Sequence, residues 1–290
     1  MKFSVSSYSF AACMEKDGMS QLDCVEQAAK MGFEAIEFVD ILPHDGSTPE
    51  EYAKRLKDAC KHAGLAVSNY TFGADFLTGS GGDLNAEIAR VCKQLDLAAA
   101  LGAVSVRHDA TTGYAPAERK WRGFDEALPR IAEGCRRVTE YAQTMGIRTM
   151  VENHGYFCQD SVRMEKLVAA VAHENFGLLG DMGNFLCVDE NPTDAFGRLA
   201  PHIRYLHAKD FHVRSGSADD PGAGFFRSRG GNYLRGAIVG HGDVPVRQCL
   251  GILKRSGYDG FAAIEFEGLE DPLKALPIGL ANLKRYWQEA

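Results

Sequence analysis

A recurring sequence signal divides this chain into units of one helix and one strand. A helical stretch ends in glycine, an apolar run follows at once, and a polar cluster closes the run. Glycine just past a helix end adopts the left-handed conformation that other residues resist, and a short β-rich run after it is typical of a buried parallel strand. The signal occurs at Gly32, Gly64, Gly102, Gly146 and Gly257.

The helix starts support this division. Ser20 with Asp23, and Thr48 with Glu51, have the spacing of a capping box, in which two side chains satisfy free backbone N–H groups at the start of a helix. Pro49 stands at a first helical position, where its missing N–H costs nothing. These signals predict helices that begin near residues 21 and 49.

Eight strands with helices between most of them predict an α/β fold with a parallel sheet. Dividing 290 residues by eight gives about 36 residues per unit, which favours one (β/α)8 TIM barrel over residues 1–290. An open doubly wound sheet is the structural alternative, but neither G-x-G-x-x-G nor G-x-x-x-x-G-K-[ST] follows any strand. The predicted strands are 3–8, 34–39, 66–71, 103–108, 147–152, 176–181, 203–208 and 261–266.

One interval is nearly twice as long as the others. It separates the seventh and eighth strands and contains the Gly- and Arg-rich segment Ser215–Gly242. Long segments inside compact domains are usually functional or disordered. The aromatic residues and arginines here, among them Phe225, Arg227 and Arg229, favour an ordered lid or a subunit contact.

Composition excludes several classes of protein. Subtracting 39 acidic from 32 basic residues gives a net charge of −7, which argues against a nucleic-acid partner. No apolar stretch approaches the roughly 18 residues that a membrane-spanning helix needs, so we expect no membrane contact. The chain starts without the apolar segment of a signal peptide, and its eight cysteines form no C-x-x-C pair. We therefore expect free thiols in a reducing cytoplasm.

Four residues that can bind a cation end the last four predicted strands. They are Glu152, Asp181, His207 and Glu265. In a TIM barrel these strand ends meet at the face where the chemistry takes place. Buried carboxylates that converge repel one another unless a cation or proton lies between them. Three carboxylates and one imidazole suit Mn²⁺, Mg²⁺ or Co²⁺, and Zn²⁺ less firmly.

The second half of the chain resembles the xylose isomerase-like TIM-barrel superfamily of sugar isomerases and epimerases. This superfamily includes ketose 3-epimerases, inosose dehydratases and hydroxypyruvate isomerases. The first half matches it only in architecture. The stretches that carry the resemblance are 151–155, 180–184, 207–210, 240–244 and 257–268, which read VENHG, GDMGN, HAKD, GHGDV and GYDGFAAIEFEG.

The resemblance implies one divalent metal ion, with Mn²⁺ expected and Mg²⁺, Co²⁺ or Zn²⁺ as alternatives. Its ligands would be Glu152, Asp181, His207 and Glu265. Glu152 and Glu265 would also act as the acid/base pair, moving a proton next to a carbonyl through a metal-stabilised enediolate.

The chain departs from the DNA-repair endonucleases of this superfamily. Those enzymes use further histidines to bind several zinc ions, whereas Asn69 and Asn184 stand at the corresponding positions here. Together with the negative net charge, this argues against a nuclease.

Further polar and aromatic residues near strand ends are candidates for contact with substrate. His154 shares strand parity with Glu152, so it would bind a hydroxyl or donate a proton, or else support a ligand through a hydrogen bond. Tyr8 would form a wall for a sugar ring, or simply pack in the core. The complete set of substrate-binding candidates is His154, Lys209, His108, His241, Glu37 and Tyr8.

The leading functional hypothesis is a metal-dependent isomerase or epimerase that acts on a small carbohydrate. The same site also suits a lyase or dehydratase, which would eliminate a β-leaving group from a 3-keto sugar, a glycoside or an inosose. A third hypothesis is a sugar-binding or structural subunit without catalytic activity. By analogy with similar barrels, we expect a homo-oligomer, either a dimer or a tetramer.

Overall fold

Eight parallel strands close into a barrel in the computed structural model, which describes residues 1–290. Each barrel strand lies beside the barrel strand that precedes it along the chain, and the eighth closes onto the first. The predicted (β/α)8 barrel is thus confirmed. Its strands are β1 (Lys2–Ser6), β2 (Ala35–Val39), β3 (Ala66–Phe72), β4 (Ser105–His108), β5 (Arg148–Glu152), β6 (Phe176–Asp181), β7 (Ile203–Ala208) and β11 (Phe261–Ile264).

Helices surround the barrel, and 68 buried apolar residues form one continuous core cluster. Both predicted capping boxes are present, at Ser20 and at Thr48, and Gly32 ends its helix with a φ of 82°. The helices are α1 (Ala11–Asp17), α2 (Gln21–Met31), α3 (Pro49–Ala63), α4 (Leu84–Leu101), α5 (Phe124–Gln143), α6 (Ser161–Val171), α7 (Asn184–Cys187), α8 (Pro192–Leu199), α9 (Val246–Arg255) and α10 (Pro272–Glu289). No helix combines the length and the apolar character needed to cross a membrane.

Two barrel strands end earlier than the sequence predicts. β1 ends at Ser6 instead of residue 8, and β11 ends at Ile264 instead of residue 266. The Ser9 hydroxyl donates to the Ile264 carbonyl and accepts from the Phe266 N–H, so it takes over the backbone groups with which a strand ladder would continue. Tyr8 therefore lies in the short 3-10 helix Ser7–Phe10, and Glu265 lies in an irregular segment, both at the mouth of the barrel.

Strand alternation arranges the barrel interior in layers. Met150, Leu179, Tyr205 and Ala263 form a small buried cluster, each on a different strand. Two residues further along these strands stand Glu152, Asp181, His207 and Glu265. Because side chains two positions apart share a face, an apolar layer lies directly below the four candidate ligands.

The segment between the seventh and eighth barrel strands contains a three-stranded antiparallel sheet. Its strands are β8 (Asp210–Arg214), β9 (Phe226–Arg227) and β10 (Tyr233–Ala237), in the order β8-β10-β9. Asp189, in the loop after α7, holds the sheet to the barrel by accepting from Ser228 Oγ at 2.6 Å and from Asn232 Nδ2 at 2.9 Å. The long segment is therefore ordered.

Asp210 fixes the end of this segment next to the candidate site. Its buried carboxylate accepts four backbone N–H groups, at distances of 2.8–3.1 Å. The donors are Phe211, Gly240, Gly242 and Val244. The position of Lys209, one residue before Asp210, therefore depends on this network.

Replacing Asp210 by asparagine tests the network. An amide offers one acceptor oxygen and turns an NH₂ group toward N–H donors, so we expect Asp210→Asn to lower the free energy of unfolding by about 3 kcal/mol. Urea-induced unfolding would measure the change. Asp219→Asn, at an exposed position in the same segment, is the control and should change the free energy by less than about 0.5 kcal/mol. An equal loss of unfolding free energy in Asp210→Asn and Asp219→Asn would contradict the stabilising role of the Asp210 hydrogen bonds.

Candidate metal centre and adjoining cavity

Four side chains converge at the carboxyl ends of the barrel strands. One ligand atom from each of Glu152, Asp181, His207 and Glu265 lies within 4.8 Å of the others, and all four residues are buried. His207 Nδ1 lies 3.4 Å from Glu152 Oε1, 3.7 Å from Asp181 Oδ2 and 3.5 Å from Glu265 Oε2. The fold thus brings together the four residues that the sequence predicts as metal ligands.

Glu37 sets the orientation of the His207 ring. Its carboxylate oxygens lie 2.9 and 3.1 Å from His207 Nε2, so we assign the ring proton to Nε2 and the free lone pair to Nδ1. Asn69 in turn donates to Glu37 at 3.0 Å. A carboxylate behind a ligating histidine is a common arrangement at metal sites, because it fixes the tautomer and raises the basicity of the ring.

Two buried atoms in this cluster lack a hydrogen-bond partner. They are His207 Nδ1 and Asp181 Oδ2, which face one another across the cluster. Buried polar atoms are almost always satisfied, so orphaned ones call for an explanation. A divalent cation between them would satisfy both atoms with a donor set that manganese and magnesium accept. The residues present therefore fit a metal ion.

The electrostatics of the cluster point the same way. Burial, opposed by Lys209 and reinforced by Glu152 and Glu265, raises the pKa of Asp181 to about 7. Burial alone would lower the pKa of His207, but Glu37 and Glu265 raise it well above its ordinary value. Burial is thus the largest cause of the Asp181 shift, and the neighbouring carboxylates raise both pKa values because negative charge favours bound protons.

Glu152 forms a buried ion pair with Arg107, a permanently charged side chain. Arg107 Nη2 lies 2.7 Å from Glu152 Oε2, and Asn184 Nδ2 donates to Glu152 Oε1 at 3.0 Å. Burial raises the pKa of the Glu152 carboxyl, yet Arg107 and His207 together outweigh burial and the pKa falls to about 2. Glu152 is therefore held in its ionised form, as a metal ligand must be.

Lys209 forms an ion pair with Glu265, as Arg107 does with Glu152. Its Nζ lies 2.5 Å from Glu265 Oε2, and Asp181 Oδ2 and Glu267 Oε1 stand at 3.3 and 3.2 Å. Burial would lower the pKa of Lys209, but these carboxylates raise it well above its ordinary value. Lys209 is thus a buried ammonium group that holds the Glu265 carboxylate in place.

A cavity of about 230 Å³ opens above the cluster, and we call it the metal cavity. His154 lies half-exposed at its edge, where Nδ1 is 3.1 Å from Asp109 Oδ1 and this contact raises the pKa of the imidazole. Tyr8, which is 45% exposed, forms part of the rim. The lining residues are Tyr8, Val39, Thr71, Arg107, Glu152, His154, Lys209, Glu265 and Glu267.

The structure corrects the prediction that His108 contacts substrate. Successive side chains on a strand point to opposite faces, and Arg107 takes the inward position on β4. The His108 ring packs outside the barrel against Phe72 and Phe76, with centroid distances of 6.3 and 5.5 Å. Burial lowers the pKa of His108 to about 4, as expected of a core histidine.

Two further candidates lie away from the metal cavity. Glu37 is completely buried and supports His207 from below, so it neither lines the cavity nor meets solvent as the sequence suggests. His241 is exposed on the turn that Asp210 holds, and it does not line the metal cavity. The structure thus places Glu37 behind His207 instead of in the substrate space, whereas substrate contact by His241 stays a prediction.

From the sequence, Arg107 is only one of several residues at strand ends that could contact a polar ligand, and Asp109 and Asn184 are not selected as site residues. Arg107 stands next to His108, so one of the two points into the barrel and the other points out. On so short a strand the sequence does not show which one points inward. Asp109 follows the strand end and joins Arg107 to His154 through contacts of 3.0 and 3.1 Å. Asn184 appears in the sequence only as a residue where some relatives carry histidine. Its role as a donor to Glu152 becomes visible in the tertiary structure.

Removing the charge of Glu37 tests its support of His207. We expect Glu37→Gln to weaken Mn²⁺ binding by about 10- to 100-fold, because the ring loses the partner that fixes its tautomer. Titration of the metal-free protein followed by calorimetry would measure the affinity. Glu26→Gln removes an exposed carboxylate of α2 and should leave it unchanged. Unaltered affinity in Glu37→Gln would show that Glu37 does not act on the metal site.

Solved structures share this architecture. The chain superposes on a D-psicose 3-epimerase solved in the presence of D-fructose with a TM-score of 0.73, 15% identity and 99% coverage of both chains. A xylose isomerase-like TIM-barrel protein from Mycobacterium smegmatis, in complex with magnesium, gives 0.72, 18% identity, and 99% and 97% coverage. At these identities the comparison establishes the fold alone.

Curated relatives include the inosose dehydratase of Lacticaseibacillus casei, which is 27% identical over 170 residues. The match covers 56% of this chain and 54% of the relative, so it spans about half the length of that protein. The family described as "Xylose isomerase-like TIM barrel" matches residues 25–286, which is most of the sequence. The chain therefore belongs to the xylose isomerase-like TIM-barrel family.

Proposed function

We propose that this protein is a divalent-metal-dependent isomerase or epimerase that moves a proton next to the carbonyl of a small polyol ketone. The observation that carries the proposal is the buried set of three carboxylates and one imidazole with two unsatisfied atoms. A carbon acid beside a carbonyl needs charge stabilisation on oxygen and a positioned base, and the metal cavity offers groups for both.

Each part of the site has a role in this proposal. The ion would be held by Glu152, Asp181, His207 and Glu265, and when bound it supplies a Lewis acid that polarises the carbonyl of the substrate. Glu152 and Glu265 stand on strands separated by β6 and β7, so they approach a substrate from different sides. One carboxylate takes the proton from carbon, and the other returns a proton to the enediolate.

The charge of the cavity supports a neutral substrate. Five carboxylates belong to the cluster and its rim, at Asp109, Glu152, Asp181, Glu265 and Glu267, against two permanent cations, Arg107 and Lys209. Both cations are already paired with carboxylates at 2.5–3.0 Å. Even with a divalent ion added, no positive charge is left over for a phosphate or carboxylate group. Free sugars, inososes and keto-glycosides suit this balance.

A second candidate is elimination of a β-leaving group, as in a dehydratase. The specific observation is that Glu152 already accepts from Arg107 and Asn184 through both oxygens, while His154 carries an imidazole at the cavity edge supported by Asp109. His154 would then act as the acid that protonates a departing hydroxyl. The dehydratase named among the relatives adds support for this candidate.

Glu265 is the residue whose loss tests the shared first step. We expect Glu265→Gln to slow exchange of the carbon-bound proton by about 10²- to 10⁴-fold, because the variant lacks a base at this position. The measurement is proton NMR in D₂O with Mn²⁺ and a panel of ketoses, inososes and 3-keto-glucosides. Chelation of the metal should abolish exchange in the wild-type protein. Glu289→Gln, on the surface of α10, is the control.

The outcomes of this experiment are separable. Wild-type exchange in Glu265→Gln would contradict the role of Glu265. A wild-type protein that binds Mn²⁺ but exchanges no proton of any ketone would favour the binding-subunit hypothesis instead.

His154 separates the two reactions. If the protein eliminates water, we expect His154→Gln to reduce formation of the dehydrated product about 100-fold while solvent exchange at carbon continues, because the leaving group has lost its acid. If the protein is an isomerase or epimerase, product formation and exchange should stay coupled in this variant. NMR of products and of deuterium incorporation in one sample measures both quantities.

A further inference from the structure

A second cavity adjoins the metal cavity and differs from it in character. It has a volume of about 510 Å³, more than twice the 230 Å³ of the metal cavity, and shares the side chains of Tyr8 and Val39 with it. Five of its nine lining residues are apolar: Tyr8, Ala11, Met14, Val39 and Leu42. We call this space the apolar lobe. Nothing in the proposed proton transfer uses it.

The wall of the apolar lobe is held in place by buried polar contacts. The Gln21 amide donates to the Val39 and Asp40 carbonyls at 3.2 and 3.0 Å and accepts from the Leu42 N–H at 3.0 Å. The Ser7 hydroxyl accepts from the Val39 N–H at 2.9 Å. Gln21 itself is 1% exposed. One side chain therefore fixes residues 39–42, which form one wall of the lobe.

The lobe excludes anions. Its charged lining residues are Glu15 and Asp40, and no lysine or arginine lines it. A free monosaccharide would gain little here, since hydroxyl groups placed against apolar walls lose water without gaining partners. An apolar group gains by entering, and an aromatic ring can also stack on Tyr8, which is 45% exposed.

We propose that the substrate carries a neutral aryl or alkyl substituent, which occupies the apolar lobe while its polyol ketone occupies the metal cavity. Three observations carry this inference: the two cavities share the lining residues Tyr8 and Val39, the wall of the lobe is mostly apolar, and no lysine or arginine lines it. It rests on the proposed function, because that function places the ketone. The substrate class is thus a keto-glycoside or a similarly substituted polyol.

Matched probes test the lobe. We expect phenyl 3-keto-β-D-glucopyranoside to bind the Mn²⁺-loaded protein at least about tenfold more tightly than the methyl analogue, because the ring is buried in the lobe. A 4-carboxyphenyl analogue should lose this advantage, because Glu15 and Asp40 repel it. Ala11→Phe, which fills the lobe, should bring the phenyl-to-methyl ratio close to one. Ala89→Phe, on the exposed face of α4, should keep the wild-type ratio.

Benzyl alcohol gives a readout that does not involve the metal cavity. Saturation-transfer NMR should detect its binding to the wild-type protein and to Ala89→Phe but not to Ala11→Phe. Equal affinity for the phenyl and methyl probes would overturn the proposal while leaving the proposed function standing. Failure of every keto-glycoside to bind, with benzyl alcohol still bound, would overturn this substrate class, whereas absence of proton exchange in every ketose, inosose and keto-glycoside would overturn the proposed function. A wild-type dimer that Leu42→Glu dissociates, without any preference for the phenyl probe, would assign the apolar wall to a subunit contact.

Discussion

The repulsion among three buried carboxylates is the constraint on which the site depends. Glu152, Asp181 and Glu265 are held within a few ångströms of one another by strands that cannot move apart. Arg107 compensates Glu152, and Lys209 compensates Glu265, each through a short contact. Asp181 shares Lys209 with Glu265 at a longer distance of 3.3 Å, its Oδ2 has no hydrogen bond, and burial together with the neighbouring carboxylates raises its pKa. A cation bound beside His207 Nδ1 is the element that would complete this balance.

The two halves of the barrel have different tasks. Strands β5, β6 and β7 and the end of β11 provide the candidate ligands. Strands β2, β3 and β4 provide the groups that hold them, with Glu37 behind His207, Asn69 behind Glu37, and Arg107 on Glu152. Support of this kind comes from single inward-facing residues on several strands. It leaves no continuous motif, which explains why the short motifs recognisable by eye lie in the second half of the sequence although the family match covers residues 25–286.

The mouth of the barrel joins two environments. The metal cavity is lined mainly by charged groups that pair with one another, whereas the neighbouring lobe is mostly apolar and bears only negative charge. Tyr8 belongs to both because β1 stops at Ser6 and the following turn carries the ring over the rim. A molecule that is polar at one end and apolar at the other fits this arrangement better than a small free sugar.

The barrel and the convergence of the four candidate ligands can be predicted from the amino-acid sequence alone. Glycines after helices and capping boxes are local signals, and ligands at the ends of predicted strands need only the strand count to be brought together. The tertiary structure decided which neighbours of these residues matter. Strand parity on β4 directs Arg107 inward and His108 into the core. Closure of the barrel brings the Glu37 side chain of β2 against His207 of β7, although these strands are not neighbours. Such contacts join residues far apart in the chain, by 170 positions for Glu37 and His207, and no local pattern encodes them.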